Sequence, residues 1–260
     1  MPSDLVPNHV LPRLTTTWLG SPYYHETEVD STNTRITALA LSGGTHGTVL
    51  AAEYQTKGRG RLDRSWHSPA GANLTFSVLL RPEWLVGEVP PVSLAVGIAL
   101  AEAVELLLPE APEVKWPNDI LWQGRKLAGI LVESSVDCEQ VLHVALGIGL
   151  NVNQVEFPAE ITSRAVSLRL ATGKPWDRAE VLATLLGRLE IWMDHLADRR
   201  TDWLISSWQR FAPWIGQQIA VRSGNQELVG TALGLAPQGA LRLQDPQGKI
   251  HSVVSGDVRI

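Results

Sequence analysis

The side chains best suited to chemistry fall in five short clusters along 260 residues: 31–33, 55–73, 115–119, 126–129 and 147–151. The second is the most unusual. Between residues 57 and 64, four cations (Lys57, Arg59, Arg61, Arg64) stand against one anion (Asp63), in a chain of formal net charge −5. Like charges this dense repel one another and gain nothing in a core. Gly58, Gly60 and Gly71 punctuate the stretch and Trp66 lies within it. Connections longer than about 12–15 residues are uncommon unless functional or disordered. The stretch reads either as a solvated surface loop or as a lid that closes over an anionic ligand.

The other clusters add polar groups where an apolar run would be expected. Lys115, Asn118 and Asp119 interrupt the strand-like run 114–122, which is costly unless each group has a partner, and Pro117 prevents a regular central strand there. Asp30, Ser31, Thr32 and Asn33 precede Ile36 and Leu39. They read as an ordinary helix cap, or as short polar side chains and free helix-start N–H groups facing a polar ligand. With Lys115 and Lys126 added to the basic stretch, the set suits joining a carboxylate to a nucleotide phosphate. That step brings two anions together, and positive charge with backbone donors must offset their repulsion.

Several other sites are excluded. No Gly-x-x-x-x-Gly-Lys-Ser/Thr loop occurs, and Gly58-x-Gly60 and Gly147-x-Gly149 each lack the third glycine of a dinucleotide fingerprint. The seven histidines show no paired metal-ligand spacing, so no metal site is expected from protein ligands. There is no Gly-x-Ser-x-Gly elbow. A single cysteine, Cys138, allows no internal disulfide and fits a reducing cytoplasm. The start of the chain, with Pro2, Pro7 and Pro12, lacks the pattern of a signal peptide. The apolar run 91–108 is interrupted by Glu102 and Glu105 and reads as a buried helix rather than a membrane span. The acidic balance argues against general nucleic-acid binding.

The elements that must position these clusters follow from periodicity and breakers. Strands are expected at 23–29, 48–54, 74–80, 114–122, 126–133 and 141–150, with 74–80 buried mostly on one face. Helices are expected after residue 33, from Pro90-Pro91 to near Leu108, from the Asp177 cap, and near 202–210. Hairpin-connected strands indicate an α+β fold with a mixed, mainly antiparallel sheet flanked by helices, not a doubly wound fold. Beyond residue 215, short strands at 219–222, 227–233, 240–243 and 250–254 separated by Gly/Pro/Asn turns indicate a small barrel or sandwich. The expected division is a domain at 1–213, with 1–22 as an extension, and a second at 214–260.

Five motifs in order resemble the biotin–protein ligases. They are Asp30-Ser31-Thr32-Asn33, the pattern Gly58-Arg59-Gly60-Arg61 through Trp66 and Ser68-Pro69 to Gly71-Ala72-Asn73, Lys115-Trp116-Pro117-Asn118-Asp119, Lys126-Leu127-Ala128-Gly129, and Gly147-Ile148-Gly149 with Asn151. The resemblance covers roughly residues 24–260 and implies a ligase-type catalytic domain with a C-terminal SH3-like barrel. It further implies a two-step reaction in which biotin and ATP form biotinyl-5′-AMP, and a lysine of a biotin carboxyl carrier protein takes the biotinyl group. By matching positions, Ser31, Thr32, Asn33, Gln55, Gly58, Arg59, Gly60, Arg61, Lys126 and Gly129 are expected to bind biotin. Arg59, Arg61, Trp66, Asn118, Lys126 and Asn151 are expected to bind ATP or the adenylate, with Trp66 covering the adenine. Lys126 and Arg61 are expected to stabilise charge, and Asp119 to orient or deprotonate the incoming lysine. Mg²⁺ is inferred from ATP chemistry, and a homodimer is left open.

Two departures qualify the match. Leu62-Asp63 stands where many members have Arg-Gly, giving less charge and less backbone freedom. The Pro-rich stretch ahead of Ser31 is short, so the winged helix-turn-helix of ligase-repressors is not expected, nor DNA or a membrane as partner. The rival readings are a lipoate–protein ligase and a non-catalytic biotin-binding module.

Overall fold

The computed structural model describes residues 3–62, 64–198, 201–224 and 226–259. Its first sheet has seven strands: β1 (Tyr23–Val29), β2 (Val49–Gln55), β3 (Leu74–Leu80), β4 (Glu113–Lys115), β5 (Asp119–Trp122), β6 (Arg125–Asp137) and β7 (Gln140–Leu150). Their order across the sheet is β1-β2-β3-β7-β6-β5-β4. Only β1–β2 is parallel; every other pair is antiparallel. The expected mixed sheet is therefore present.

One face of this sheet packs on helices. Phe76 and Val78 of β3, with Leu146 and Ile148 of β7, join a core with α3 (Pro90–Glu105) and α5 (Arg178–Ala197). Each fully buried side chain of this size contributes about 1.5–3 kcal/mol. The segment Val86–Glu105 is long and apolar enough to cross a bilayer. Instead, α3 packs against α5 and α6 (Thr201–Arg210), and a helix apolar on all sides fits such a core. Asp177 caps α5 by accepting from the N–H groups of Ala179 and Glu180.

The other face is covered in part by α2 (Thr32–Leu41), whose Ile36 and Ala40 pack on Leu50, Leu79 and Ala145. This corrects the expectation of a one-sided β3: all seven of its residues are buried, Thr75 and Ser77 included.

The stretch ahead of β1 is also packed. Leu5, Val10 and Leu19 are fully buried, with α1 (Pro7–Val10) and a 3-10 turn between them. Buried Arg178 draws this segment in by donating to Asp4, to Glu53 at 2.8 Å and to the Asn73 carbonyl at 3.1 Å.

A second, five-stranded antiparallel sheet comprises β8 (Gln218–Ser223), β9 (Gln226–Leu235), β10 (Leu241–Gln244), β11 (Ile250–Val253) and β12 (Asp257–Arg259). Its order, β11-β10-β9-β8-β12, forms the expected small SH3-like unit. Two tryptophans tie it to the first sheet. Trp116 Nε1 donates to the Gly239 carbonyl at 3.0 Å, and Trp214 Nε1 to the Val114 carbonyl at 2.8 Å.

Candidate active site

Strand register places the polar clusters over one another. A single row of paired residues crosses all seven strands: Glu26, Ala52, Thr75, Gly149, Gly129, Asp119 and Lys115. The neighbouring row on that face holds Ser77, Gly147 and Leu131. Side chains alternate faces along a strand, so Thr75, Gly149, Gly129, Asp119 and Lys115, with Gly147 and Leu131 of the next row, line one cleft of about 1030 Å³. Around it, among the described residues, stand seven cations (Arg59, Arg61, Arg64, Lys115, Lys126, Arg164, Arg259) and three carboxylates. The excess attracts an anionic ligand although the chain as a whole is acidic.

The glycines of 147–149 act as clearance. A β-carbon on Gly149 would overlap the Trp66 indole, and one on Gly147 would overlap the Asn33 amide. Gly129 sits under both Lys126 and Trp66. The Trp66 indole therefore packs directly on the sheet at Gly149 and Gly129, with Lys126 Nζ 5.7 Å from its ring centre.

Ser31, Thr32 and Asn33 are all buried at one end of the cleft. Ser31 takes the N-cap position, yet its side chain caps no helical N–H. Gln55, from the end of β2, does that work: its Oε1 accepts from Thr32 N at 2.7 Å and from Thr32 Oγ1 at 3.1 Å. The expected self-contained cap is thus supplied by a neighbouring strand. Ser77 Oγ donates to Asn33 Oδ1 at 2.6 Å and lies 2.8 Å from Thr32 Oγ1.

The basic stretch folds as a small hairpin. Gly60 N donates to the Arg64 carbonyl at 2.7 Å, and Trp66 N to the Gly58 carbonyl at 3.0 Å. Arg59, Gly60 and Arg61 line the cleft; Gly58 stands behind it, where a β-carbon would press on the Trp66 carbonyl. Arg59 pairs with Glu133 at 3.0 Å, and Arg61 donates to Asn118 Oδ1 at 3.3 Å. Burial pushes the Arg61 guanidinium down from its ordinary value against the pull of Asp119 and Asp257, and it stays charged. Leu62 adopts φ +54°, a left-handed conformation costing a side-chain residue about 1–2 kcal/mol. The departure noted at Leu62-Asp63 therefore falls on a conformationally demanding residue, while Asp63 itself lies outside the described residues.

Asp119 and Lys126 form an ion pair at 2.7 Å. Asn118 Nδ2 holds the Ile130 carbonyl at 2.8 Å, which leaves its oxygen to Arg61. Asn151 Nδ2 holds the Val166 carbonyl at 3.1 Å, so both asparagines spend their donors on backbone.

Two walls escaped the sequence reading. Phe157, Ile161 and Arg164 line the cleft from the segment after β7, which runs beside β6 through Lys126 N to Arg164 O at 2.7 Å and Val166 N to Lys126 O at 3.0 Å. No residue-type signal marks that segment. The second wall is Asp257 with Arg259, on β12. Asp257 accepts from Arg64 at 2.7 Å and Lys115 at 3.3 Å. Burial alone would raise its pKa, but the two cations outweigh that and hold it below the ordinary carboxylate value. Arg64 is raised in turn by the Asp257 hydrogen bond and charge.

Sequence and structure comparisons identify the family. Residues 27–151 match the biotin/lipoate A/B protein ligase family, and 214–260 match the biotin protein ligase C-terminal domain. The Mycobacterium tuberculosis biotin–[acetyl-CoA-carboxylase] ligase is 37% identical over 242 residues, covering 89% of this chain and 86% of that one. The chain belongs to the biotin–protein ligase family. Its activity is that of the family, ATP-dependent biotin ligation. The Bacillus subtilis bifunctional ligase/repressor BirA is 33% identical over all of this chain and 80% of its own length. Among solved biotin–protein ligases, that of Aquifex aeolicus in complex with biotin and ATP is 33% identical, with a TM-score of 0.79 over 91% of this chain and 97% of that one.

Proposed function

We propose that this cleft carries both half-reactions of biotin ligation and that the expected residues lining it, Gly58 excepted, hold the roles assigned to them. In the first, a biotin carboxylate oxygen attacks the α-phosphorus of ATP, pyrophosphate leaves, and biotinyl-5′-AMP stays beneath the basic hairpin. In the second, a neutral carrier lysine attacks the acyl carbon, AMP departs with the bonding electrons, and the amine releases a proton. Ser31, Thr32, Asn33 and Gln55 suit a polar ring, offering donors and acceptors at one buried end. Arg59, Arg61 and Lys126 neutralise the carboxylate and α-phosphate as they meet, an electrostatic contribution that is largest where water is excluded. Trp66 offers its ring to the adenine. Asp119 orients Lys126 in the first step and receives the incoming lysine in the second.

The observation that carries this reading is convergence. Thr32, Arg61, Asp119, Lys126 and Gly149, from five separate stretches, border one cationic cleft. Residues 1–213 are read as the catalytic domain and 214–260 as a second domain that closes one wall. The carrier is read as a biotin carboxyl carrier domain of a carboxylase, supported by the name of the mycobacterial relative, and the compartment as the cytoplasm. Mg²⁺ is inferred from the triphosphate, whose oxygens with one or two carboxylates usually hold it.

Pyrophosphate exchange with biotin or lipoate, followed by transfer of labelled biotin to a carrier domain, tests the reading. Exchange with lipoate alone would replace it with the lipoate activity. Biotin binding without exchange would make the chain a non-catalytic module.

A further inference from the structure

Glu133 takes no place in the assignments above, yet it joins the two ends of the site. It sits on β6 two and four residues beyond Leu131 and Gly129, on the same face, and pairs with Ala145 in the row that α2 covers. Its Oε2 accepts from Asn33 Nδ2 at 2.8 Å and from Arg59 Nη2 at 3.0 Å. Asn33 is in turn held by Ser77, and Ser77 touches Thr32, which is held by Gln55. A continuous chain of hydrogen bonds thus runs from Gln55 at the end of β2, through the first turn of α2, to Glu133 and on to the basic hairpin. Arg59 is bridged to Ser65 inside that hairpin, beside Trp66.

We infer that Glu133 is a positioning residue that sets the hairpin over the sheet and couples its register to the Thr32–Asn33 end of the cleft. The chemistry of the pair supports this over a role in stability. The Arg59 and Glu133 side chains are 46% and 36% exposed, and ion pairs this exposed add little to folding. What the pair fixes is direction: a long, cleft-lining arginine is held at one point on β6, which sets the hairpin that carries Arg61 and Trp66 over the cleft. One carboxylate oxygen shared by a buried amide and the hairpin's Arg59 transmits a shift of either donor to the other.

The inference rests on the biotin-adenylating reading of the cleft, and two measurements separate their failures. Without any ligand, trypsin cleavage after Arg59, Arg61 and Arg64 should run up to about fivefold faster in Glu133→Ala than in wild type, the scale of a partly exposed pair. In steady-state exchange, Glu133→Ala should raise the biotin KM about tenfold with kcat within about twofold, because the lost interaction positions rather than reacts. Glu133→Gln keeps an acceptor for Asn33 and should recover to about threefold of wild type in both. In a Glu133→Ala background, Arg59→Ala should add less than it does alone. Wild-type cleavage and KM in Glu133→Ala would overturn the inference. So would a loss of kcat at unchanged KM, which would place Glu133 in the chemistry. Absence of biotin-dependent exchange in the wild type would sink the active-site reading, and ligand-free cleavage still tests the Glu133–Arg59 coupling. Should Glu133→Ala fail to fold, Glu133→Gln carries both measurements, and wild-type values in it would overturn the inference.

Discussion

The Asp119 carboxylate and the Lys126 ammonium meet at 2.7 Å across the β5–β6 hairpin. The contact joins two strands of the cleft and holds the lysine beside the Trp66 ring.

Lys126→Ala is expected to slow biotin-dependent pyrophosphate exchange by about 10²–10³-fold, the usual loss for one group aimed at developing charge. The thermal midpoint should change little, because Lys126 is partly exposed. Asp119→Asn should slow adenylate formation as well as transfer; an effect on transfer alone would mean that Asp119 acts only on the incoming lysine.

Gly149→Ala tests the floor. Its β-carbon would occupy space filled by the Trp66 indole, and overpacking costs about 1–3 kcal/mol where the neighbour cannot move. Trp66 belongs to a surface hairpin and can lift. The expected result is a folded protein with a raised KM for ATP and a shifted tryptophan emission. Unchanged values of both would remove Trp66 from the adenylate site.

Arg61→Gly removes the hydrogen bond to Asn118 and adds backbone freedom beside Gly60. Biotinyl-5′-AMP should escape before transfer and label bystander lysines in a mixture of unrelated proteins. Labelling confined to the carrier, as in wild type, would refute retention by this residue.

Asp257→Asn unfastens the hairpin from the second sheet, since Asp257 holds both Arg64 and Lys115. Cleavage after Arg64 should accelerate by up to about fivefold at low salt, the scale of a partly exposed pair, and the difference should fade at high salt. A salt-independent difference would mean that shape, not charge, holds the hairpin.

Acid stability should depend on Glu190. It is buried and accepts from the N–H groups of Thr17, Trp18 and Leu19 at 2.7, 2.9 and 2.8 Å. Burial alone would raise its pKa, but those donors outweigh it and hold the folded value below the ordinary one. A depressed folded pKa contributes stability that is present above the unfolded value and lost as pH falls through the folded one, here below about pH 5. Glu190→Gln should cost about 2 kcal/mol at neutral pH and flatten the acid limb of a denaturation series. A parallel acid limb in the variant would assign that limb to other carboxylates.

Much of the site was readable because its residues are chemically conspicuous. Cations packed beside glycines, and Lys115, Asn118 and Asp119 within an apolar run, violate local rules unless something pairs with them. What stayed hidden had no local anomaly. Gly147 and Gly149 read as an incomplete nucleotide fingerprint, and their use is the clearance they leave for Asn33 and Trp66. Phe157 and Ile161 look like ordinary loop residues, as Asp257 looks like one more exposed carboxylate near the end of a barrel.

The amino-acid sequence by itself determined the antiparallel succession of strands, the two apolar helices, the second small sheet and five polar clusters, because periodicity, breakers and charge density act over a few residues. The tertiary structure alone decided the register that aligns Thr75, Gly149, Gly129 and Asp119 in one row. It also decided that Gln55 rather than Ser31 serves the start of α2, and that Glu133 and Asp257 anchor the hairpin from opposite sides. Those outcomes depend on which strand neighbours which, and pairing between residues scores of positions apart is set by the packing of the whole sheet rather than by any local pattern.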